Sequence, residues 1–279
     1  ERAPPGDVFA SPFPSAARQL DMLGRHATPT RGATTRTFPG CSGSIDALLD
    51  AHPRVESLRW DISGTHRVSR PLRALTAHTD ADAAEIALDA RALAPHLEEL
   101  RATSRANLTL AGASLARLPW ARLRIAHIDT GGPALSCALL DHAPVLESAR
   151  LAMTLRATSF CGDDLPTRRV TVASPVLREL MLVEGNCGDD PDFERTSSAP
   201  AVEITCAPAT CASIEDFRLE ACSSVALAGA GAGAAPGGGR AHVVVRLSAP
   251  LTRARVVSLL NVGHVSSRAP RTRPPLVEL

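Results

Sequence analysis

Two copies of Cys-Gly-Asp-Asp, at positions 161–164 and 187–190, set carboxylates side by side in segments that read as loops, and Asp192 follows the second. Such clusters are the donors a hard cation takes, but the ligand spacing of a calcium-binding loop is absent, and solvated turns are the simpler expectation. Cys206, Cys211 and Cys222 come nearest to a zinc site. No Cys-x-x-Cys pair or histidine partner completes it, so these thiols read as buried or half-buried members of a core. His52, His96 and His142 each stand within two residues of a proline. The dipole at a helix C-terminus favours an imidazolium, which makes capping rather than catalysis their expected role. Gly229, Gly231 and Ala234 spell the dinucleotide pattern G-x-G-x-x-A, but Pro236 and the glycines after it forbid the helix that must receive a pyrophosphate. Neither a G-x-S-x-G elbow nor an H-E-x-x-H helix occurs. The expectation is a non-enzyme with no catalytic residues, no metal and no cofactor. A hydrolase or metal enzyme built on the acidic loops is the weakest reading.

Composition narrows the class further. The 279 residues carry 30 basic and 29 acidic side chains, a net charge of +1, so charge gives no reason to expect nucleic acid or an anionic membrane as partner. With 6 Phe, 2 Trp and no Tyr, there are few platforms on which bases could stack. No apolar run approaches the length of a membrane span. The chain holds no Lys, so all 30 basic residues are Arg, planar forks suited to carboxylates and phosphates. Seven irregularly spaced Cys without a secretory leader point to a reducing compartment, cytoplasmic or nuclear.

What would position side chains in this chain is a repeat. LLDAHPRVESLRW (48–60), RALAPHLEELRAT (91–103), LLDHAPVLESARL (139–151), TVASPVLRELML (171–182) and ATCASIEDFRL (209–219) share an apolar residue followed by apolar residues three and five positions on. The sets are Val55, Leu58, Trp60; Leu97, Leu100, Ala102; Leu146, Ala149, Leu151; Leu177, Leu180, Leu182; and Ile214, Phe217, Leu219. Weaker copies are Leu72, Leu75, Ala77 and Trp120, Leu123, Ile125. Successive starts lie 17 to 37 residues apart, around the window of roughly 20 to 29 that marks leucine-rich repeats. The last two apolar positions alternate on one short strand and share a face. Helical spacing precedes several strands, as in Ile45, Leu48, Leu49 and Leu135, Leu139, Leu140. Pro133 suits a first helical turn, Asp82 with Glu85 resembles a capping box, and Pro53, Pro95 and Pro144 end helices. One unit cannot bury its apolar face alone, so the units must stack. The predicted fold is α/β, an irregular leucine-rich-repeat solenoid or horseshoe with parallel concave strands and outer helices.

Strand residues that alternate with the buried ones face the concave surface. Between the second and third frame positions stand Arg59, Thr76, Arg101, Arg124, Arg150, Met181 and Arg218. With strands about 4.8 Å apart, Arg59, Arg101, Arg124, Arg150 and Arg218 are expected to form a guanidinium stripe able to grip carboxylates or phosphates. Asp61, Glu99, Glu179, Asp216 and Glu220 flank it and would neutralise part of the charge. The plainer alternative is a solvated strand face carrying the one basic residue type this chain uses.

LLDAHPRVESLRW, LLDHAPVLESARL and above all RRVTVASPVLRELML (168–182) resemble the repeat region of plant F-box/leucine-rich-repeat proteins, over roughly residues 44–225. The resemblance implies a non-catalytic protein-recognition scaffold, the substrate receptor of a cullin-type ubiquitin ligase. The F-box that would bind a Skp-type adaptor is not found in residues 1–43, so adaptor and cullin are partners only if an F-box lies outside this chain. A protein or peptide ligand, acidic if the stripe grips it, is the expected partner, with neither nucleic acid nor membrane. The alternative is a structural interaction protein or decayed paralogue without a ligase role. The expected organisation is a flank or degenerate repeat over 1–42, with a short helix around Ala16 to Leu23. A solenoid follows over 43–265 with a flexible Gly/Ala loop at 226–241, then a mobile tail over 266–279. The Asn or Cys expected eight positions after each first frame residue appears only as Cys222, so the usual internal hydrogen-bond ladder should be mostly missing. The strand at Val170 and Val172 stands too close to Leu180 for a full unit between them.

Overall fold

The computed structural model describes residues 19–22, 45, 49–50, 53–61, 65–79, 85–104, 107–111, 120–129, 133–153, 168–183, 202–220, 225–228, 243–260 and 264–266. It is an α/β structure with parallel strands and few helices. Nine strands lie side by side in one sheet: β1 (Gln19–Met22), β2 (Ser57–Asp61), β4 (Ala74–Thr79), β6 (Glu99–Ser104), β8 (Ile125–Ile128), β9 (Ser148–Ala152), β11 (Glu179–Val183), β13 (Asp216–Glu220) and β16 (Val256–Leu260). A second set of parallel strands is interspersed with them along the chain. β3 (Thr65–Val68), β5 (Glu85–Asp89) and β7 (Asn107–Ala111) form a three-stranded sheet. β10 (Arg168–Val172), β12 (Val202–Cys206), β15 (Val243–Leu247), β14 (Val225–Ala228) and β17 (His264–Ser266) form a five-stranded one in that spatial order. Three helices are described in full: α1 (Ala90–Leu93), α2 (Pro133–His142) and α3 (Pro208–Ser213). None of the described helices is long and apolar enough to cross a membrane.

The frame residues explain the nine-stranded sheet. Leu58, Leu75, Leu100, Ala126, Ala149, Leu180 and Phe217 are register partners across seven strands, each no more than 1% exposed. Two residues on, Trp60, Ala77, Ala102, Ile128, Leu151, Leu182 and Leu219 make a second buried row. Successive side chains on a strand point to opposite faces, so these rows share the core side. Val55, Leu72, Leu97, Leu123, Leu146, Leu177 and Ile214 add a third buried row at the turns. Backbone bonds tie each turn to the next. The Glu98 carbonyl accepts from Arg124 N at 2.8 Å and Ile125 N at 3.2 Å, and the Glu147 carbonyl accepts from Arg178 N at 2.8 Å and Glu179 N at 3.1 Å.

Several expectations need correction. The fourth frame is Leu123, Ala126, Ile128 rather than Trp120, Leu123, Ile125, because Ile125 is the register partner of Glu99 and Ser148 on the outward face. Trp120 is fully buried ahead of the strand, and its backbone N–H donates to the His142 carbonyl at 2.8 Å. The layer behind the main sheet is largely strand where outer helices were expected. Glu85 opens β5, so it caps no helix, and Gln19–Met22 is a strand parallel to β2 where a helix was expected. Helix α2 does start at Pro133 and stop before Pro144, but Leu135 to Leu140 are all buried. A helix buried on all sides needs no polar stripe. It packs against both β7 and β10, filling the step between the two rear sheets. The strand at Val170 and Val172 belongs to the rear layer, which is why it approaches Leu180 so closely in sequence. Ala226 to Ala228 of the expected Gly/Ala loop lie in β14.

Buried hydroxyls tie the turns together. Ser174 is fully buried; its hydroxyl donates to the Leu146 carbonyl at 2.6 Å and accepts from Val176 N at 3.3 Å. Thr210 in turn donates to the Ser174 carbonyl at 3.0 Å, and Ser213 donates to the Leu177 carbonyl at 2.8 Å. These bonds link three successive turns of the sheet. Cys137, Cys206 and Cys211 are buried and free, and burial pushes the Cys137 thiol up to about 11 and the Cys206 thiol up to about 12. Cys137 and Cys206 stay protonated at neutral pH, and all three buried residues pack as small apolar side chains.

Candidate functional site

The outward face of the nine-stranded sheet carries a row in register, polar except at the buried Met181: Arg59, Thr76, Arg101, His127, Arg150, Met181, Arg218 and Ser258. A chain of hydrogen bonds crosses four adjacent strands here. Arg101 Nη1 lies 3.0 Å from His127 Nδ1, His127 Nε2 lies 2.7 Å from Ser148 Oγ, and Ser148 Oγ donates to Glu179 Oε2 at 2.6 Å. Guanidinium can only donate, so Nδ1 accepts and Nε2 carries the proton it gives to Ser148. Burial, and then the nearby Arg101 cation, hold the His127 imidazole below its ordinary value of 6.5 and favour this neutral form. Activating a serine nucleophile requires the opposite direction, with the hydroxyl donating to imidazole. The geometry suits recognition by donors and acceptors fixed on rigid strands.

Four of the five arginines expected on the stripe, Arg59, Arg101, Arg150 and Arg218, lie on this row. Arg124 does not; the slipped fourth frame moves it three positions, and His127 takes its place. Internal pairing neutralises much of the row. Arg101 pairs with Glu99, Arg150 Nε lies 3.0 Å from Asp129, and Arg218 grips both oxygens of Asp216 at 2.8 Å. Arg150 and Arg218 side chains stay 45% and 39% exposed.

Arg124 belongs to a different row, one residue past the buried turn row. Its members in spatial order are Glu56, Arg73, Glu98, Arg124, Glu147, Arg178, Glu215 and Arg255, so the sign alternates at every step. Arg73 Nε is 2.9 Å from Glu98, Arg124 holds both oxygens of Glu147 at 2.9 and 3.1 Å, and Arg255 is 3.7 Å from Glu215. The Arg124 hydrogen bond holds the Glu147 carboxyl below its ordinary value of 4.5. Its stabilising contribution is therefore present above that value and is lost as pH falls through the lowered one. Exposed pairs contribute little singly, but an alternating row penalises any slip that sets like charges side by side. Exchanging one pair, Arg124→Glu with Glu147→Arg, keeps the attraction within the pair. It also places a carboxylate beside Glu98 and a guanidinium beside Arg178, two like-charge junctions that the native row avoids. The double variant should therefore melt no higher than Glu147→Arg alone, and the deficit should shrink in about 1 M salt. Recovery to the wild-type melting temperature would mean that the pairs act independently.

Among the described residues, no group of three or more His, Cys, Asp or Glu is placed to hold a metal ion. The two Cys-Gly-Asp-Asp segments, Asp192, Cys222, His52, Asp82, the Gly229 to Ala234 pattern and residues 267–279 lie outside the described residues. No family model, curated protein or solved structure matches the chain.

Proposed function

We propose that the chain is an irregular leucine-rich-repeat solenoid whose outward strand face recognises a protein or peptide, as a substrate receptor of a cullin-type ubiquitin ligase. The observation that carries the reading is the hydrogen-bonded row from Arg101 through His127 and Ser148 to Glu179, built by side chains from four adjacent parallel strands. The sheet fixes these donors and acceptors before any partner arrives, which lowers the ordering cost of binding. Because carboxylates sit between the guanidinium groups, the face complements a partner of mixed charge better than a uniformly acidic one. The ligase role comes from the resemblance of the repeat phrases alone. The same internal neutralisation favours a second reading, a structural interaction protein without a ligase role.

The test is affinity purification of partners with the tagged chain and with an Arg101→Glu/Arg150→Glu variant of matched melting temperature. The variant should retain at most about a tenth of the captured partner, a loss on the order of 1.4 kcal/mol or more. Arg169→Glu, on the rear sheet with a side chain 84% exposed, should bind as wild type. Equal capture by all three would remove the face from consideration. Cullin among the captured proteins separates the ligase reading from the structural one.

A further inference from the structure

A groove of roughly 680 Å³ runs along the turn edge of the nine-stranded sheet, away from the outward row, lined by four guanidinium groups against two carboxylates. One wall is the alternating charge row. The other is the column of turn residues just before the buried turn row, where two neighbouring units carry Val145 and Val176 and the flanking units carry Arg122 and Ser213. Val145 is 38% and Val176 46% exposed, two of four large apolar side chains so exposed among the described residues. Strands are about 4.8 Å apart, so the two valines make one continuous apolar step. Arg124 is occupied by Glu147 at 2.9 Å, and Glu215 lies toward Arg255 at 3.7 Å. That leaves Arg122 and Arg178, both exposed, in no salt bridge among the described residues, although the Arg178 charge also acts on Glu147.

We propose that this groove docks a short acidic–aliphatic peptide segment, its aliphatic side chain on Val145 and Val176 and its carboxylates on Arg122 and Arg178. Charge complementarity selects this occupant. An excess of guanidinium beside an apolar step disfavours a basic segment and gives a purely apolar one nothing to answer the charges. The proposal concerns a surface separate from the outward strand face and does not depend on that reading.

The experiment is selection of a phage-displayed library of short random peptides on the full chain, followed by fluorescence anisotropy with the enriched peptide. The expected consensus places Asp or Glu beside Leu, Ile or Val. Arg122→Glu and Val176→Asp, both at exposed turn positions and checked for unchanged melting, should each weaken binding about tenfold or more. Arg150→Glu, on the outward face, should leave binding unchanged. Failure to enrich any peptide, a basic consensus, or affinity lost in Arg150→Glu but kept in Arg122→Glu and Val176→Asp would overturn the proposal.

Discussion

Replacing Phe217 with Ala should lower unfolding free energy by about 3–5 kcal/mol, the cost of deleting a buried aromatic ring and leaving a cavity. Phe217 is fully buried, and its register partners Leu180 and Val257 lie on the strands to either side. No polar group lies in the row to tolerate water in the space the ring leaves. Total stability for such a domain is about 5–15 kcal/mol, so the loss is a large share of it. For a chain of this size the melting temperature should fall by roughly 6–20 °C. Val256→Ala, one strand over at a position 39% exposed, should change stability by less than about 0.5 kcal/mol. Calorimetry of both variants checks the contrast. A Phe217→Ala loss below about 1 kcal/mol would mean that the ring is not enclosed between two strands.

Ser174→Ala should cost about 1–3 kcal/mol although it removes one oxygen and no apolar surface. The hydroxyl donates to the Leu146 carbonyl at 2.6 Å and accepts from Val176 N at 3.3 Å, so the change strips two backbone groups of a partner at once. Ser174 is fully buried, and water cannot replace what is lost without opening the turn. The effect should reach the next unit, because Thr210 donates to the Ser174 carbonyl at 3.0 Å. Denaturant unfolding should therefore show a lower midpoint with an unchanged slope. A variant indistinguishable from wild type would assign the turn's stability to its apolar contacts alone.

The buried rows were legible wherever a large apolar residue filled the middle frame position, as Leu58, Leu100, Leu180 and Phe217 do. The fourth unit failed because Ile125 faces outward and imitated a core residue; a middle Ala alone did not mislead, since Leu146, Ala149, Leu151 was read in its true frame. A correcting signal was present. With Trp120 as the first frame residue the next position is Ala121, which breaks the alternation of Glu and Arg. With Leu123 it is Arg124, which restores it. The rear strands were harder to anticipate because they lie outside the repeated apolar frame, and the Asp82 and Glu85 spacing looked like a helix start where Ile86 and Leu88 in fact alternate as buried strand residues. Of the outward face, the arginines were legible but His127 was not. Its role depends on Ser148 and Glu179, which are distant in sequence and become neighbours only through strand register.

Because every cation of the side chains other than histidine is arginine, phenylglyoxal labelling with mass spectrometry can footprint the whole charged surface. Measured with and without the captured partner, the account predicts that Arg59, Arg150 and Arg218 are protected while Arg169 on the rear sheet stays reactive. Protection of Arg169 with Arg150 and Arg218 still labelled would contradict it.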